Sequence, residues 1–285
     1  MKQKRPARGL RAFWKRYRKS KVAVVGLVIL FIFVVMAVFA PVIAPYTYDE
    51  MDLSKAFQSS GAEHFFGTDS FGRDIFSRII YGARISLTIG FISVGIAVLI
   101  GGLIGATAGY YGGWVDNVLM RLMDILMSIP QFLLAISIAA AMGPGIRNLM
   151  IAVGISSTPN YARIIRASIL SAKEQEYVEA ARVSGAGDIR IILRHILPNC
   201  LAPLIVQMTL GVAGAILNAA GLSFIGLGAE TPIPEWGAML SEGRDYFRTY
   251  PMVALYPGLF ISLTIFSLNV VGDGLRDALD PKQRR

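Results

Sequence analysis

The chain has 285 residues, of which 54% are apolar and only 16% are charged, whereas soluble globular proteins carry about 25% charged residues. Its net charge of +9 would suggest nucleic acid in a soluble protein, but the apolar excess indicates a membrane instead. One cysteine and two histidines exclude an internal disulfide and leave too few ligands for a metal centre. No Walker A sequence is present, so we expect no ATP hydrolysis by that route, no metal and no cofactor in this chain.

Six runs without Asp, Glu, Lys or Arg mark candidate membrane spans, because a charge at the bilayer centre costs at least ~2.5 kcal/mol. The runs cover residues 22–48, 86–115, 125–146, 148–162, 196–229 and 249–272. Five are long enough to cross about 30 Å of hydrocarbon as helices. The fourth is short and needs Arg147 and Arg163 to extend their side chains to the two interfaces. The sequence therefore predicts an all-α, polytopic bundle of six transmembrane helices.

The distribution of basic residues predicts the orientation of this bundle. Residues 1–21 hold ten basic side chains and no acidic one, and six spans would place 21 of the 28 basic residues on the same side. By the positive-inside rule, both termini are cytoplasmic. The first span is too long for a cleaved signal peptide, and Pro41 follows the best cleavage site at Ala40.

These spans divide the chain into five parts. Residues 1–21 are a basic cytoplasmic tail that we expect to lie along anionic lipid, and residues 22–45 are the first transmembrane helix. Residues 46–84 form an external loop with an interfacial helix, residues 85–272 a five-helix core with a cytoplasmic loop at 173–198, and residues 273–285 a cytoplasmic tail.

The external loop carries the sequence GTDSFGRD at residues 67–74, followed by apolar residues interleaved with arginines. At helical spacing this gives an apolar face and a basic face with Arg73, Arg78 and Arg84, which is typical of an interfacial helix. The alternative interpretation is that this helix helps to close an outer gate.

Within the core, the second span places Gly101, Gly105 and Gly109 four residues apart, so we expect this face to pack against another helix. At the edge of the third span, Asp124 has the spacing to pair with Arg121. Prolines that permit kinks recur in or near the spans, at Pro130, Pro159, Pro198 and Pro203.

The spans themselves contain no acidic or basic group that could form a proton relay or a voltage sensor. A self-sufficient channel or a secondary transporter is therefore disfavoured, although it stays the remote alternative. A membrane hydrolase is also disfavoured, since His64 and His195 fall on opposite sides and Cys200 has no evident activator.

The cytoplasmic loop reads KEQEYVEAARVSGAGDIRIILRHILPN at residues 173–199. Its composition predicts a helix over 173–184, a left-handed turn at Gly185, an N-cap at Asp188, and a second helix over 189–196 that ends at Pro198. A DNA-binding helix-turn-helix is the rival interpretation, but the segment is nearly balanced in charge and lies between membrane spans. We expect no nucleic acid partner.

The stretch EAARVSGAGDIRIILRHILP, residues 179–198, closely resembles the signature of permease subunits of ABC importers. The positions that match are Glu179, Ala180, Ala181, Gly185, Leu197 and Pro198; His195 stands where the pattern has an apolar residue. The resemblance implies a type I ABC importer permease fold, with a coupling helix that sits in a groove of an ATPase subunit. Glu179 would be the polar anchor, and the small residues would permit close docking.

Three further segments are similar to the second, C-type permease of dipeptide, oligopeptide and nickel importers: residues 67–87, 228–240 and 272–281. The resemblance implies a non-catalytic subunit of the bacterial inner membrane that forms half of a pathway for peptides. Its implied partners are a homologous second permease, two cytoplasmic ATPases that bind ATP and Mg, and an external substrate-binding protein. Glutathione or a nickel chelate is the alternative cargo.

The segment before the last span contains Pro232, Pro234, Glu235 and Trp236, which the predicted topology places outside. It could receive the binding protein or shape the outer gate. Equally, it could be an interfacial turn with Trp236 at the level of the lipid headgroups.

Overall fold

The computed structural model describes residues 10–279, so residues 1–9 and 280–285 of the two predicted tails lie outside the described part. Within that part, the secondary structure is helical, which agrees with the predicted fold class, and twelve α-helices are present. They are α1 (Leu10–Tyr17), α2 (Lys21–Val38), α3 (Ala40–Ile43), α4 (Ile75–Tyr111), α5 (Gly113–Met127), α6 (Gln131–Met142), α7 (Ile146–Lys173), α8 (Glu176–Val183), α9 (Asp188–Ile191), α10 (Leu197–Phe224), α11 (Trp236–Arg244) and α12 (Met252–Leu279).

The long helix α4 defines the two ends of the bundle, because its 37 residues extend for about 55 Å at 1.5 Å per residue. At its last turn, the Tyr110 hydroxyl donates to Asp188 at 2.6 Å, which places α8 and α9 at this end. Before its first turn, Arg73 contacts Glu242 of α11 at 2.7 Å. We call these the α8–α9 end and the α11 end.

The other long helices run between the same two ends. The start of α12 lies at the α11 end, where Tyr256 stacks on Phe66 of the loop before α4 with ring centroids 4.1 Å apart. Its last turns reach the α8–α9 end, where Ala278 is buried with Tyr17 and Ala23 near the start of α2. Both described ends of the chain therefore lie on the side of α8 and α9.

Four helices are long and apolar enough to cross a membrane, namely α2, α4, α10 and α12, and the pair α5 and α6 would add a fifth if it is one span. That pair is bent by 87° at the break that contains Pro130. Helix α7 has 28 residues, but it carries Arg147, Arg163 and Arg166 and a polar centre at residues 156–158. The six-span count remains a prediction.

Helices α4 and α7 pack through the glycine face that the sequence predicted. A Cβ added at Gly105 would lie 2.3 Å from the carbonyl oxygen of Ala162, and one added at Gly101 would lie 2.7 Å from that of Thr158. Such distances are possible only without side chains, so the backbones of the two helices are in direct contact. The predicted helix contact is confirmed.

The predicted helix that leads into the second span is present, but its predicted basic face is largely buried. Residues 75–84 are the first turns of α4 itself, with Asp74 as the N-cap that accepts from Ser77 N. Of the basic face, only Arg84 is exposed, whereas Arg73 and Arg78 are buried. One of their two ion-pair partners, Glu242, comes from a distant part of the chain, which a local helical pattern could not reveal.

The predicted pair between Asp124 and Arg121 is also replaced. In the structure, Asp124 pairs with Arg163 of α7 at 2.5 Å, because α5 and α7 come together at the α8–α9 end. A second bridge joins the same two helices, since both nitrogens Nε and Nη2 of Arg166 donate to the carboxylate of Asp116. These bridges hold α5 against α7.

Candidate functional site

The loop between α7 and α10 is a helix, a glycine turn and a short second helix. Helix α7 ends at Lys173, the next two residues, Glu174 and Gln175, are not helical, and α8 starts at Glu176. The two predicted helices are therefore right in kind, but the first is shorter than residues 173–184.

The second half of the loop differs from the prediction at two points. Asp188 is the first residue of α9 and Gly187 is its N-cap, so the Asp188 side chain is free to accept from Tyr110. Pro198 does not end a helix. It lies in the first turn of α10, where proline is tolerated because its missing N–H would have no partner there. A π-helical segment, Ile192–Ile196, joins α9 to α10.

The turn between α8 and α9 depends on Gly185, whose φ of 79° is in the left-handed region. Its N–H donates to Arg182 O at 3.0 Å, and the N–H of Ala186 donates to Ala181 O at 3.1 Å, which closes the end of α8. The predicted left-handed turn is confirmed. A Cβ added at Gly185 would meet nothing within 4 Å, so this chain leaves the space over the turn open.

The loop is fixed to the bundle through the end of α4. Val178 of α8 and Ile191 of α9 are fully buried in the main core. The Lys173 ammonium donates to Tyr110 O at 2.6 Å, and the Tyr110 hydroxyl donates to Asp188. Because Val178 holds α8 in the core and these two bonds tie the end of α7 and the start of α9 to α4, the loop is fixed to the bundle at three points.

The exposed residues of this loop include small and apolar side chains together with charged ones, among them Glu176, Glu179, Arg182, Asp188, Arg190 and Arg194. Glu179, Ala180 and Gly185 are exposed, and three large apolar side chains stand beside them in the sequence: Val183 is 84% exposed, Ile189 73% and Leu193 59%. We call these six residues the α8–α9 surface. Exposed apolar groups on a rigid element indicate a contact site for another protein.

The structure brings some of the predicted coupling residues to this surface and not others. Ala181 and Leu197 are half-buried, and Pro198 is exposed in the first turn of α10. The sequence reasoning missed Val183, Ile189 and Leu193 as surface groups. Their signal was present, as large apolar residues in an otherwise charged segment outside the membrane.

At the opposite end, α11 is inserted into the bundle. Trp236 is completely buried, and its indole N–H donates to Ile79 O at 3.0 Å. Of the two interpretations of this segment, the one that places Trp236 at the lipid headgroups is therefore wrong, since the ring lies inside the bundle against α4, Phe33 of α2 and Phe260 of α12; the other interpretation stays a prediction.

Glu235 caps α11 by accepting from Gly237 N and Ala238 N. Burial raises the pKa of Glu235 above its ordinary value, although these two amides act in the opposite direction.

Three buried charges, Asp69, Arg73 and Arg78, and the half-buried Glu242 join the loop before α4 and the first turn of α4 to α11. Arg73 Nε donates to Asp69 Oδ2 at 2.6 Å, and Arg78 Nη1 donates to the same oxygen at 3.0 Å. Both arginines also donate to Glu242 Oε2, at 2.7 and 3.2 Å. The cluster is neutral in sum, and it fixes the external loop to α11.

Nothing in this arrangement resembles a catalytic or metal centre. Within residues 10–279, no group of three His, Cys, Asp or Glu side chains could hold a metal ion. His64 is hydrogen-bonded to Asp74 at 3.0 Å at the α11 end, about 55 Å of helix away from the α8–α9 surface. Among the described residues, a distinctive feature at the α8–α9 end of the bundle is the exposed apolar group of the α8–α9 surface, Val183, Ile189 and Leu193.

The long apolar helices of this bundle are those of a membrane protein, and two family models assign the chain to a class of transport components. The model of the family described as "Binding-protein-dependent transport system inner membrane component" matches residues 97–285. The model of the N-terminal transmembrane domain of oligopeptide transport permease C matches residues 10–59. The chain belongs to the family of binding-protein-dependent inner-membrane transport components.

Curated relatives match over nearly the whole chain. The dipeptide transport system permease protein DppC of Alkalihalophilus pseudofirmus is 48% identical, over 96% of this chain and 90% of its own length. The glutathione transport system permease protein GsiD of Pectobacterium atrosepticum is 44% identical, over 95% of this chain and 91% of its own length.

A solved structure supports the fold. A chain of the MetNI methionine ABC transporter in an inward-facing conformation superposes with a TM-score of 0.58 at 18% identity, over 72% of this chain and 98% of its own. The predicted family is therefore confirmed: the chain is a non-catalytic permease subunit of an ABC importer, in which ATP hydrolysis belongs to partner ATPases. As an inner-membrane component, it works with ATPase and binding-protein partners.

Proposed function

We propose that this chain forms one half of the translocation pathway for short peptides and pairs with a homologous second permease. Two cytoplasmic ATPases drive the pair, and one of them docks on the α8–α9 surface. All six predicted spans cross the membrane, with the tails 1–21 and 273–285 and the loop 173–198 in the cytoplasm.

The observation that carries this proposal is the open space over the turn of the α8–α9 surface. An added Cβ would meet nothing within 4 Å at Gly185 or at Gly187. The left-handed backbone accounts for glycine at Gly185, but Gly187 has an ordinary φ of −70°, so no contact within this chain requires a small residue at Gly187. A partner that approaches closely would require it. Glu179 stands on the same exposed side of α8 and would supply the polar contact to that partner.

The proposed orientation has independent support from charge. The α8–α9 end also holds α1, the start of α2 and the end of α12. The six basic residues of positions 11–21 therefore belong to the same end as the α8–α9 surface, and basic residues favour the cytoplasmic side.

The contacts of the loop suggest how ATP binding would reach the membrane. Movement of the docked ATPase would carry α8 and α9 as a unit, since Val178 and Ile191 anchor both in the core. Lys173 and Asp188 both hydrogen-bond to Tyr110, so the displacement would pass directly into α4. Helix α4 reaches the α11 end, where the outer side of the pathway would open.

The cargo is proposed from the relatives. One is named for dipeptide and the other for glutathione, and both cargoes are short chains of amino acids. We therefore place a dipeptide or short oligopeptide first and glutathione second. A nickel chelate remains an alternative from the family resemblance alone.

Affinity purification tests this proposal. The tagged chain, extracted gently from membranes, should bring with it a second permease and nucleotide-binding subunits. Gly185→Asn should lose the ATPases, because asparagine tolerates the left-handed turn but adds a side chain over the docking surface. The matched control is Gly95→Ala, which also adds a side chain where nothing lies within 4 Å, but in α4.

Two outcomes would contradict the proposal. The wild-type chain could be recovered alone and active after reconstitution without ATP, which would indicate a channel. Alternatively, Gly185→Asn could retain as much ATPase as the Gly95→Ala control, which would move the docking site away from the α8–α9 surface.

A further inference from the structure

The external loop displays six consecutive exposed residues near its start, 49–54, of which the first five carry carboxylates or large apolar side chains. Three are carboxylates, Asp49, Glu50 and Asp52, and two are large apolar side chains, Met51 at 49% and Leu53 at 72% exposed. We call these five residues the 49–53 surface. Apolar side chains of this size on the water-exposed part of a protein commonly mark a contact with another molecule.

This surface is held in one conformation. Asp52 Oδ1 accepts from Ser54 N at 3.1 Å and from Ser54 Oγ at 2.6 Å, which caps a single 3₁₀ turn, Leu53–Lys55. Behind it, the backbone of Asp52 is so close to Gly72 that an added Cβ would lie 1.8 Å from Asp52 O. Gly72 belongs to the segment that Arg73 fixes to α11. The exposed apolar groups are therefore presented by a rigid scaffold.

The carboxylates of the surface are available to a partner. Elsewhere in the loop, the charged groups are matched within the chain: Glu63 pairs with Lys55, and Asp69 pairs with Arg73. In the described part of the chain, no salt bridge within 4 Å involves Asp49, Glu50 or Asp52. Hydrogen bonds from Ser54 lower the pKa of Asp52, so this carboxylate stays ionised.

A lipid surface does not fit this chemistry, because anionic headgroups repel carboxylates. The loop also precedes α4 and lies at the end of the bundle opposite the α8–α9 surface, about 55 Å away along α4. A soluble protein with basic residues around an apolar depression fits both features. The family is described as binding-protein-dependent, so such a protein is part of the transport system.

We propose that the 49–53 surface is a docking surface for the substrate-binding protein. Basic residues of that protein would lie against Asp49 and Glu50, and an apolar depression would receive Met51 and Leu53. This inference rests on the proposed function and its orientation, which place the α11 end outside.

The test uses the complete importer in nanodiscs and the purified, labelled binding protein of the same transport system. Asp49→Lys with Glu50→Lys should weaken its binding at least tenfold at low salt and reduce the salt dependence of the association rate. Met51→Ser with Leu53→Ser should weaken binding with little change in salt dependence. The control Glu230→Lys reverses another exposed carboxylate, near α11, and should change binding less than twofold.

Thermal unfolding of each variant is recorded in parallel, so that a folding defect is recognised. Unchanged binding by both double variants, or equal weakening by the Glu230→Lys control, would overturn the inference. The proposed function fails in a different way, namely if the wild-type importer assembles without ATPases.

Discussion

Because α4 and α7 are in direct contact at Gly105, the substitution Gly105→Ala should lower the folding stability. The new Cβ would lie 2.3 Å from Ala162 O, whereas ordinary contacts begin at 3.4 Å. The obstacle is backbone within a helix, so the two helices must separate locally by about 1 Å. Overpacking of this kind costs about 1–3 kcal/mol of folding stability.

Gly102 of the same helix provides a matched control. A Cβ at this position would lie 3.5 Å from Ile165 Cδ1, which is an ordinary contact. Gly102→Ala should therefore be neutral or slightly stabilising, since alanine favours a helix interior by up to about 1 kcal/mol over glycine. Thermal unfolding of both purified variants in detergent compares the two. Equal stability of Gly105→Ala and Gly102→Ala would refute the close contact of α4 with α7.

Three further substitutions test other parts of the structure. Trp236→Phe removes the indole N–H that donates to Ile79 O and should cost about 1–3 kcal/mol, seen as a lower unfolding midpoint; no change would place the ring elsewhere. Arg73→Gln leaves the buried carboxylate of Asp69 with one guanidinium fewer and should lower the free energy of unfolding by about 3–5 kcal/mol. A loss below about 1 kcal/mol, which is typical of an exposed ion pair, would contradict the buried cluster. Tyr110→Phe should lower ATP-driven uptake at unchanged membrane abundance, because the bond to Asp188 that ties α9 to α4 is lost; normal uptake would show that this bond transmits no movement.

Local patterns predicted the features that depend on local rules. Four-residue spacing of glycines identifies a close helix contact wherever it occurs in a membrane helix, and the face with Gly105 does pack on α7. Likewise, a glycine after a short polar helix predicted the left-handed turn at Gly185. Neither conclusion needed knowledge of the rest of the chain.

Features that depend on distant residues could not be predicted in this way. The interval between Arg73 and Arg78 suggested an exposed basic face, but both arginines are buried and both donate to Glu242, which is 169 residues from Arg73. Asp124 had a plausible partner three residues away, yet α7 supplies a better placed one. Trp236 looked interfacial because the depth at which α11 enters the bundle is set by its packing against α4 and α12.

The proposed docking residues could be predicted from the sequence only in part. The motif predicted Glu179 and Gly185, and the structure leaves both exposed. The exposed apolar group of Val183, Ile189 and Leu193 became visible only once the buried residues of the same loop, Val178 among them, were known. A helical pattern of period 3.6 does not by itself say which apolar residues of a short helix face the core.

ATP-dependent uptake of a radiolabelled dipeptide into proteoliposomes tests the central claim most directly. The vesicles contain this chain with its second permease and ATPases, and the binding protein is added outside. We predict uptake that requires both ATP and the binding protein, is abolished by Glu179→Lys, and persists with Glu174→Lys, the same charge change at an exposed position before α8. Uptake without ATP, or full uptake with Glu179→Lys at equal protein levels, would contradict the account.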